Sequence, residues 1–243
     1  QALQIQAFVE TGTFKGDTLA AVSEIFAECH SVELSNELYQ AACQRFEGCK
    51  GISLYQGNSA VRLAEIRSNL QRRNIKAVLY WLDAHWCVAD HTAGKISECP
   101  LLEELSALQP LGDEEVVLVD DARLFLAPPP PPHEISQWPD FDQILKVLLP
   151  AFGSHFLLVL NDVLIIAPRK VQKDFKPFAA KLQCDILQIF HEARERNHWK
   201  KIHQEATTYA AKLKENYSSM EKIFERLEMK IARRLSNILR GGG

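Results

Sequence analysis

The chain has 243 residues, 47% hydrophobic and 24% charged, with a formal net charge of −3. It holds no run of about 18 apolar residues, which excludes a membrane-spanning helix, and its length suits one large core or one domain with an appendage. No secretory leader is visible, and the six cysteines (Cys29, Cys43, Cys49, Cys87, Cys99, Cys184) fall at no C-x-x-C spacing, so reduced structural thiols in a cytoplasmic protein are expected rather than a zinc knuckle or redox pair.

The chain opens at Gln1 and closes on Gly241-Gly242-Gly243, which reads as a piece excised from something longer. Its charge is uneven. Residues 170–243 carry 16 Lys and Arg against 9 Asp and Glu, leaving 12 against 22 for the first 169. An acidic globular part therefore precedes a basic helical one, whose basic face is either simply solvated or a contact for anionic lipid or polymer. A nucleic-acid partner is not expected.

A first strand over Ala7 to Val9 runs into Glu10-Thr11-Gly12-Thr13-Phe14-Lys15-Gly16 and then a helix start at Asp17-Thr18. A strand, a tight turn and a helix N-terminus can hold a small anion or cofactor on backbone N–H groups, or can be only a sharp corner. The turn matches neither G-x-G-x-x-G nor G-x-x-x-x-G-K-[ST], which counts against nicotinamide and ATP. Further strands are predicted over His30 to Glu33, Ile52 to Tyr55, Ala77 to Leu82 and Val116 to Val119. Between them, Thr18 to Cys29, Ser35 to Phe46, Ala60 to Arg72 and Leu101 to Leu108 carry helical spacing. Such alternation predicts βαβ units and a parallel sheet covered on both faces.

After the fifth strand come five prolines, Pro128 to Pro132, a stiff segment that forms either a wall of the cleft at the strand ends or a surface connector. A helix is predicted from Asp140 to Leu149. Phe156 to Leu160 and Val163 to Ala167, separated only by Asn161-Asp162, predict an antiparallel hairpin. From about Asp185 the pattern becomes long helix, and Leu213, Tyr217, Met220, Phe224, Leu227 and Ile231 follow a heptad stripe. Self-association or a partner helix through 185–240 is expected. The fold class is thus α/β, a Rossmann-like, mostly parallel sheet ending in an antiparallel hairpin (residues 1–170), followed by a helical extension with a candidate coiled coil (171–243).

Ligands of an open α/β sheet bind beyond the carboxyl ends of the strands, so residues there form one candidate set. Glu10 and the Gly12 to Gly16 turn follow the first strand. Glu33 ends the second, placed either to accept ribose hydroxyls or to be an exposed carboxylate. Gly57-Asn58-Ser59 follows the third, for an adenine edge or merely to cap the next helix. Asp83-Ala84-His85-Trp86 follows the fourth and Asp120-Asp121 ends the fifth. Asp83, Asp120 and Asp121 repel one another unless a proton or cation sits among them, and hard oxygen ligands suit Mg²⁺; the other reading has one facing the cleft while the rest cap loops. His85 is either a general base or a packed, hydrogen-bonded histidine. Asp90 and His91 lie in the loop that follows, and Arg123 holds an acidic group or a structural ion pair.

Together, E-T-G-T-F-K-G, Glu33, the G-N-S turn, L-D-A-H-W and V-D-D-A-R-L-F resemble class I S-adenosylmethionine-dependent methyltransferases over residues 5 to 170. Within that class, the Asp after strand four and the acidic pair after strand five resemble metal-dependent, macrocin-type sugar O-methyltransferases. The resemblance implies S-adenosylmethionine and a divalent ion, usually magnesium, as cofactors, and a sugar or glycan hydroxyl as acceptor. It implies Gly12 and Gly16, with Glu10 and Thr13, around the methionine part, Glu33 on the ribose, and Asn58, Ser59 and Asp83 beside the cofactor. It makes Asp83, Asp120 and Asp121 the metal ligands and His85 or Asp83 the base. The helices that usually precede strand one are missing. Two other readings compete: a non-catalytic scaffold whose business is the coiled coil, and a metal-dependent hydrolase using the same acids.

Overall fold

The computed structural model describes residues 3–86 and 97–185. Seven strands form one sheet: β1 (Ala7–Thr11), β2 (Cys29–Glu33), β3 (Ile52–Gln56), β4 (Val78–Leu82), β5 (Val116–Val119), β6 (His155–Leu160) and β7 (Val163–Pro168). Their order is β3-β2-β1-β4-β5-β7-β6. The first five are parallel, and β7 runs antiparallel to both β5 and β6. Asn161 and Asp162 at the hairpin tip both take positive φ (45° and 72°), the two-residue turn their residue types favour.

The helices are α1 (Asp17–Ser23), α2 (Asn36–Arg45), α3 (Ser59–Arg72), α4 (Leu101–Ala107), a single turn α5 (Arg123–Leu126), α6 (Phe141–Leu148) and α7 (Gln172–Leu182). Their starts are encoded locally. Ser35 and Asn58 accept backbone N–H groups at the N-termini of α2 and α3, and Asp140 with Gln143 forms a capping box on α6.

Alternate residues of the apolar strands enter different faces, as a doubly covered sheet requires. Val9, Tyr80, Leu82, Val117 and Ile166 pack under α3, α4 and α6 through Leu63, Leu70, Leu105, Ile144 and Leu148. Phe8, Leu79, Leu118, Phe156 and Ile165 share the other core with Leu19 of α1 and Phe175 and Ala179 of α7. α7 begins at Gln172, after a 3-10 turn over Arg169–Val171, and contributes Phe175 and Ala179 to this second core.

One predicted helix is shorter than its pattern. Thr18 to Cys29 carries helical spacing, yet α1 ends at Ser23. The Glu28 carbonyl accepts the Phe8 N–H and the Cys29 N–H donates to Gly51, so sheet pairing claims the end of the segment, and Phe26 turns into the core. No described helix is long and apolar enough to cross a membrane. The heptad stripe and basic helices from 186 onward, together with Cys87, Asp90 and His91, lie outside the described residues.

Candidate functional site

From β1 the chain winds toward β2 and β3, and from β4 it winds toward β5, so the direction reverses between the adjacent strands β1 and β4. That switch point opens a crevice at the carboxyl ends. The loop after β1 crosses it. Gly12 sits at φ +81°, and a Cβ there would fall 2.2 Å from the Asp83 carbonyl oxygen, so only glycine permits the two loops to meet.

The N–H groups of Gly12 and Thr13 donate to the Val32 carbonyl, that of Phe14 to Glu33 (2.8 Å), and that of Gly16 to Thr13. Four backbone donors of the turn are thus spent on β2 and on the turn itself. Glu33 is pinned at both oxygens, by the Phe14 N–H and by the Ser35 N–H (2.8 Å), which fixes its carboxylate while leaving lone pairs to accept hydroxyls. Glu10, 2% exposed, lies beneath the loop. The Ser31 hydroxyl donates to it (2.6 Å), and because that uses Ser31's one hydrogen, the Thr13 hydroxyl donates to Ser31 (2.6 Å). Burial, against the Ser31 hydrogen bond, pushes the Glu10 carboxyl up to about 8.

Asn58 accepts the Val61 N–H (3.1 Å), the capping alternative. Ser59 is buried beside a residue the sequence reading passes over, Glu104 of α4, which lies against the Ser59 and Thr11 hydroxyls. Glu104 is 1% exposed, its Oε1 has no hydrogen-bond partner among the described residues, and burial raises its pKa.

On the β4 and β5 side, His85 Nε2 meets Asp121 Oδ2 at 2.9 Å and lies 3.9 Å from Asp83 Oδ1. Asp121 takes φ +53°, a left-handed conformation that Asp tolerates, and also receives the Arg123 guanidinium (2.5 Å). Arg123 is bonded in turn to Asp162 at the hairpin tip, whose Oδ1 accepts the Arg123 N–H (2.8 Å). Burial works against charge on Asp121, but His85 and Arg123 together hold its carboxyl below the usual range. Burial likewise opposes the imidazolium, yet the Asp121 hydrogen bond and the Asp83 charge raise His85. For Asp83 and Asp120 the nearby His85 does not offset burial and the neighbouring acids. Burial, then the charge of Asp120, lifts Asp83 to about 8, and burial, then Asp121, lifts Asp120 to about 6.

The magnesium expectation fails a test of fit. Asp121, one of its three ligands, is committed to His85 and Arg123, and among the described residues no group of three His, Cys, Asp or Glu side chains is placed to hold a metal ion. His85, 5% exposed at its side chain, is wedged edge-on between Phe125 (6.0 Å between centroids) and Trp138 (5.5 Å). The packed-histidine alternative describes it. Asp83 keeps 36% of its side chain open.

The segment after the prolines folds back on this site, as a wall. Trp138 Nε1 donates to Glu98 (2.5 Å), Glu98 also accepts the Glu134 N–H, and the Gln137 side chain accepts the Glu98 N–H (2.9 Å). Glu98, His133 and Trp138 carry no spacing that marks them in the sequence, since their relation spans 35 to 40 residues.

The strand order with its antiparallel β7 is the arrangement of the class I methyltransferase fold, and the topology itself carries that assignment. The sequence matches no protein-family profile, and no curated protein is similar to it in sequence. Solved structures similar to it include the methyltransferase domain of bacterial CtHen1 (15% identity, 68% of this chain and 91% of that chain, TM-score 0.40). A methyltransferase from Anabaena variabilis described as S-adenosylmethionine-dependent (13%, 68% and 77%, TM-score 0.41) and a TehB-like one from Corynebacterium glutamicum (14%, 69% and 83%, TM-score 0.39) are others.

Proposed function

We propose that this chain is an O-methyltransferase that carries a methyl group from S-adenosylmethionine to a hydroxyl of a sugar or glycan. The observation that carries the reading is the meeting, at the switch point between β1 and β4, of a glycine-shaped loop, a backbone-pinned Glu33 and a cleft-facing Asp83. The residues fit the cofactor at Glu33, which two backbone N–H groups hold as an acceptor for a pair of ribose hydroxyls. When bound, S-adenosylmethionine supplies a methyl group on a positively charged sulfur.

Asp83 is the group that takes the acceptor's proton. It is open to the cleft, and a carboxyl lifted to about 8 is a far stronger base than an ordinary aspartate. His85 is not given that role, since its Nε2 is bonded to Asp121 and lies 3.9 Å from Asp83. The acids around Asp83 oppose a further negative charge, which favours a neutral hydroxyl arriving and surrendering its proton to the carboxylate. No step is assigned to a metal, and the sugar acceptor rests on the sequence resemblance to macrocin-type enzymes.

Calorimetric titration with S-adenosylmethionine and its demethylated product tests the reading on the wild type and on Glu33→Ala. Binding in the micromolar range, weakened at least about tenfold by the substitution and unchanged by a chelator, is expected. Absence of binding by either compound would overturn the methyltransferase assignment and favour the scaffold.

A further inference from the structure

Three tryptophans lie in the described residues, and their environments differ. Trp81 (9% exposed) and Trp138 (6%) are buried, whereas Trp86 reaches the surface three residues after Asp83. Trp86 is nonetheless braced. Its backbone N–H donates to the Glu98 carbonyl (2.6 Å), and its ring meets His133 edge-on at 5.3 Å and 84°. His133 in turn packs edge-on against Trp138 at 4.8 Å, and Trp138 is tied through Nε1 to the Glu98 carboxylate and packed on His85. A chain of rings thus runs from the acid cluster outward, Asp121 to His85 to Trp138 to His133 to Trp86, each member fixed by the next.

A flexible surface tryptophan needs no such support, and a core tryptophan would be covered. A part-exposed indole braced by a histidine and a carboxylate network is a pre-ordered flat apolar surface, and pre-ordering removes the entropy cost of presenting it to a ligand. An acceptor group, Asp83, stands three residues back along the chain with 36% of its side chain open. A ligand matched to a flat apolar face and an adjoining carboxylate has an apolar side and a rim of hydroxyl donors. A pyranose ring has both: its axial C–H bonds form the apolar face, and its hydroxyls donate to the acid.

We propose that Trp86 is the acceptor platform and that the acceptor is a saccharide ring stacked on it with a hydroxyl presented to Asp83. This rests on the methyltransferase reading for the fate of that hydroxyl, while the stacking itself does not depend on it. His133, Trp138 and Glu98 are positioning residues for the platform.

The test is saturation-transfer NMR on the whole protein with a panel of methyl pyranosides, alongside calorimetry with S-adenosylmethionine, for wild type, Trp86→Ala and Trp86→Phe. Transfer to ring C–H protons is expected in the wild type, reduced at least about tenfold in Trp86→Ala and largely kept in Trp86→Phe. S-Adenosylmethionine binding unchanged in all three shows that the variants fold. Pyranosides that bind wild type and Trp86→Ala equally, or that show no transfer to the wild type, overturn the platform. Failure of S-adenosylmethionine to bind while Trp86-dependent transfer persists overturns the methyl-transfer reading and leaves the saccharide site standing.

Discussion

Two places in this protein that draw carboxylates out of solvent are balanced oppositely. Just before β5, Glu115 is 4% exposed and accepts Arg67 Nε and Nη2 (2.9 and 2.8 Å), the Tyr80 hydroxyl (3.1 Å) and the Gly112 N–H (2.7 Å). Arg67 spends a further donor on the Pro110 carbonyl (2.5 Å). At the carboxyl ends of the strands, Glu10 and Glu104 are buried and Asp83 and Asp120 part-buried with few donors, while Asp121 bonds both His85 and Arg123. A carboxylate whose lone pairs are all used can only hold structure together. One left short of donors and counter-charge shifts its pKa, and is free to bind or to take a proton.

The comparison predicts opposite consequences of removing an acid. The largest effect falls on Asp83. Asp83→Asn keeps the size of the side chain and abolishes the base, so methyl transfer to a glycan acceptor is expected to fall about 10²- to 10⁴-fold while the S-adenosylmethionine Kd stays within a few-fold. Equal loss of turnover and cofactor affinity would place Asp83 in cofactor binding instead. In the wild type, kcat/KM should rise with pH and level off above about 8, because the carboxylate form is the active one.

Next comes Glu115→Ala, which leaves the Arg67 guanidinium buried without its partner. A loss of roughly 3–5 kcal/mol in urea unfolding is expected, with S-adenosylmethionine affinity unaffected in the protein that remains folded. A loss under about 1 kcal/mol would remove the contrast between the two places.

The smallest effect has the reverse sign. Glu10 has a folded-state value of about 8 against an ordinary 4.5, so the native state holds a proton that the unfolded chain gives up between those values. Native stability therefore falls as pH rises through that window. Glu10→Gln removes the charge and keeps the acceptor for Ser31, so it should raise Tm at pH 9 by a few degrees and leave it nearly unchanged at pH 4.5. Thermal melts at both pH values check this, and a Tm lowered equally at both would show that the carboxylate is needed.

Much of the fold is legible in local pattern. The strands from Ala7 to Val119, the Asn161-Asp162 hairpin and the helices capped by Ser35, Asn58 and Asp140 all follow from periodicity and turn chemistry acting over a few residues. The end of α1 does not, because whether 24 to 29 continues a helix depends on pairing with Phe8 and Gly51, which lie elsewhere in the chain. In the site, the sequence places Glu10, Glu33, Asp83, Asp120 and Asp121 at strand ends, since position along a strand is a local property. It leaves open what each of them faces.

That second question belongs to tertiary structure. Asp121 turns to His85 through a left-handed backbone, and a hairpin delivers Asp162 to Arg123 across 39 residues, which is why three acids that look like a metal set are divided between an ion-pair network and an open cleft. Glu98 finds Trp138 across 40 residues, and Glu104 meets Thr11 and Ser59 only because α4 packs against α3. The sequence by itself determined the sheet, its turns and the supply of acids at one edge, because those rest on near neighbours. The pairing of each acid, and with it the choice between structural and reactive carboxylates, was decided by which distant elements the folded chain brings within about 3 Å of one another.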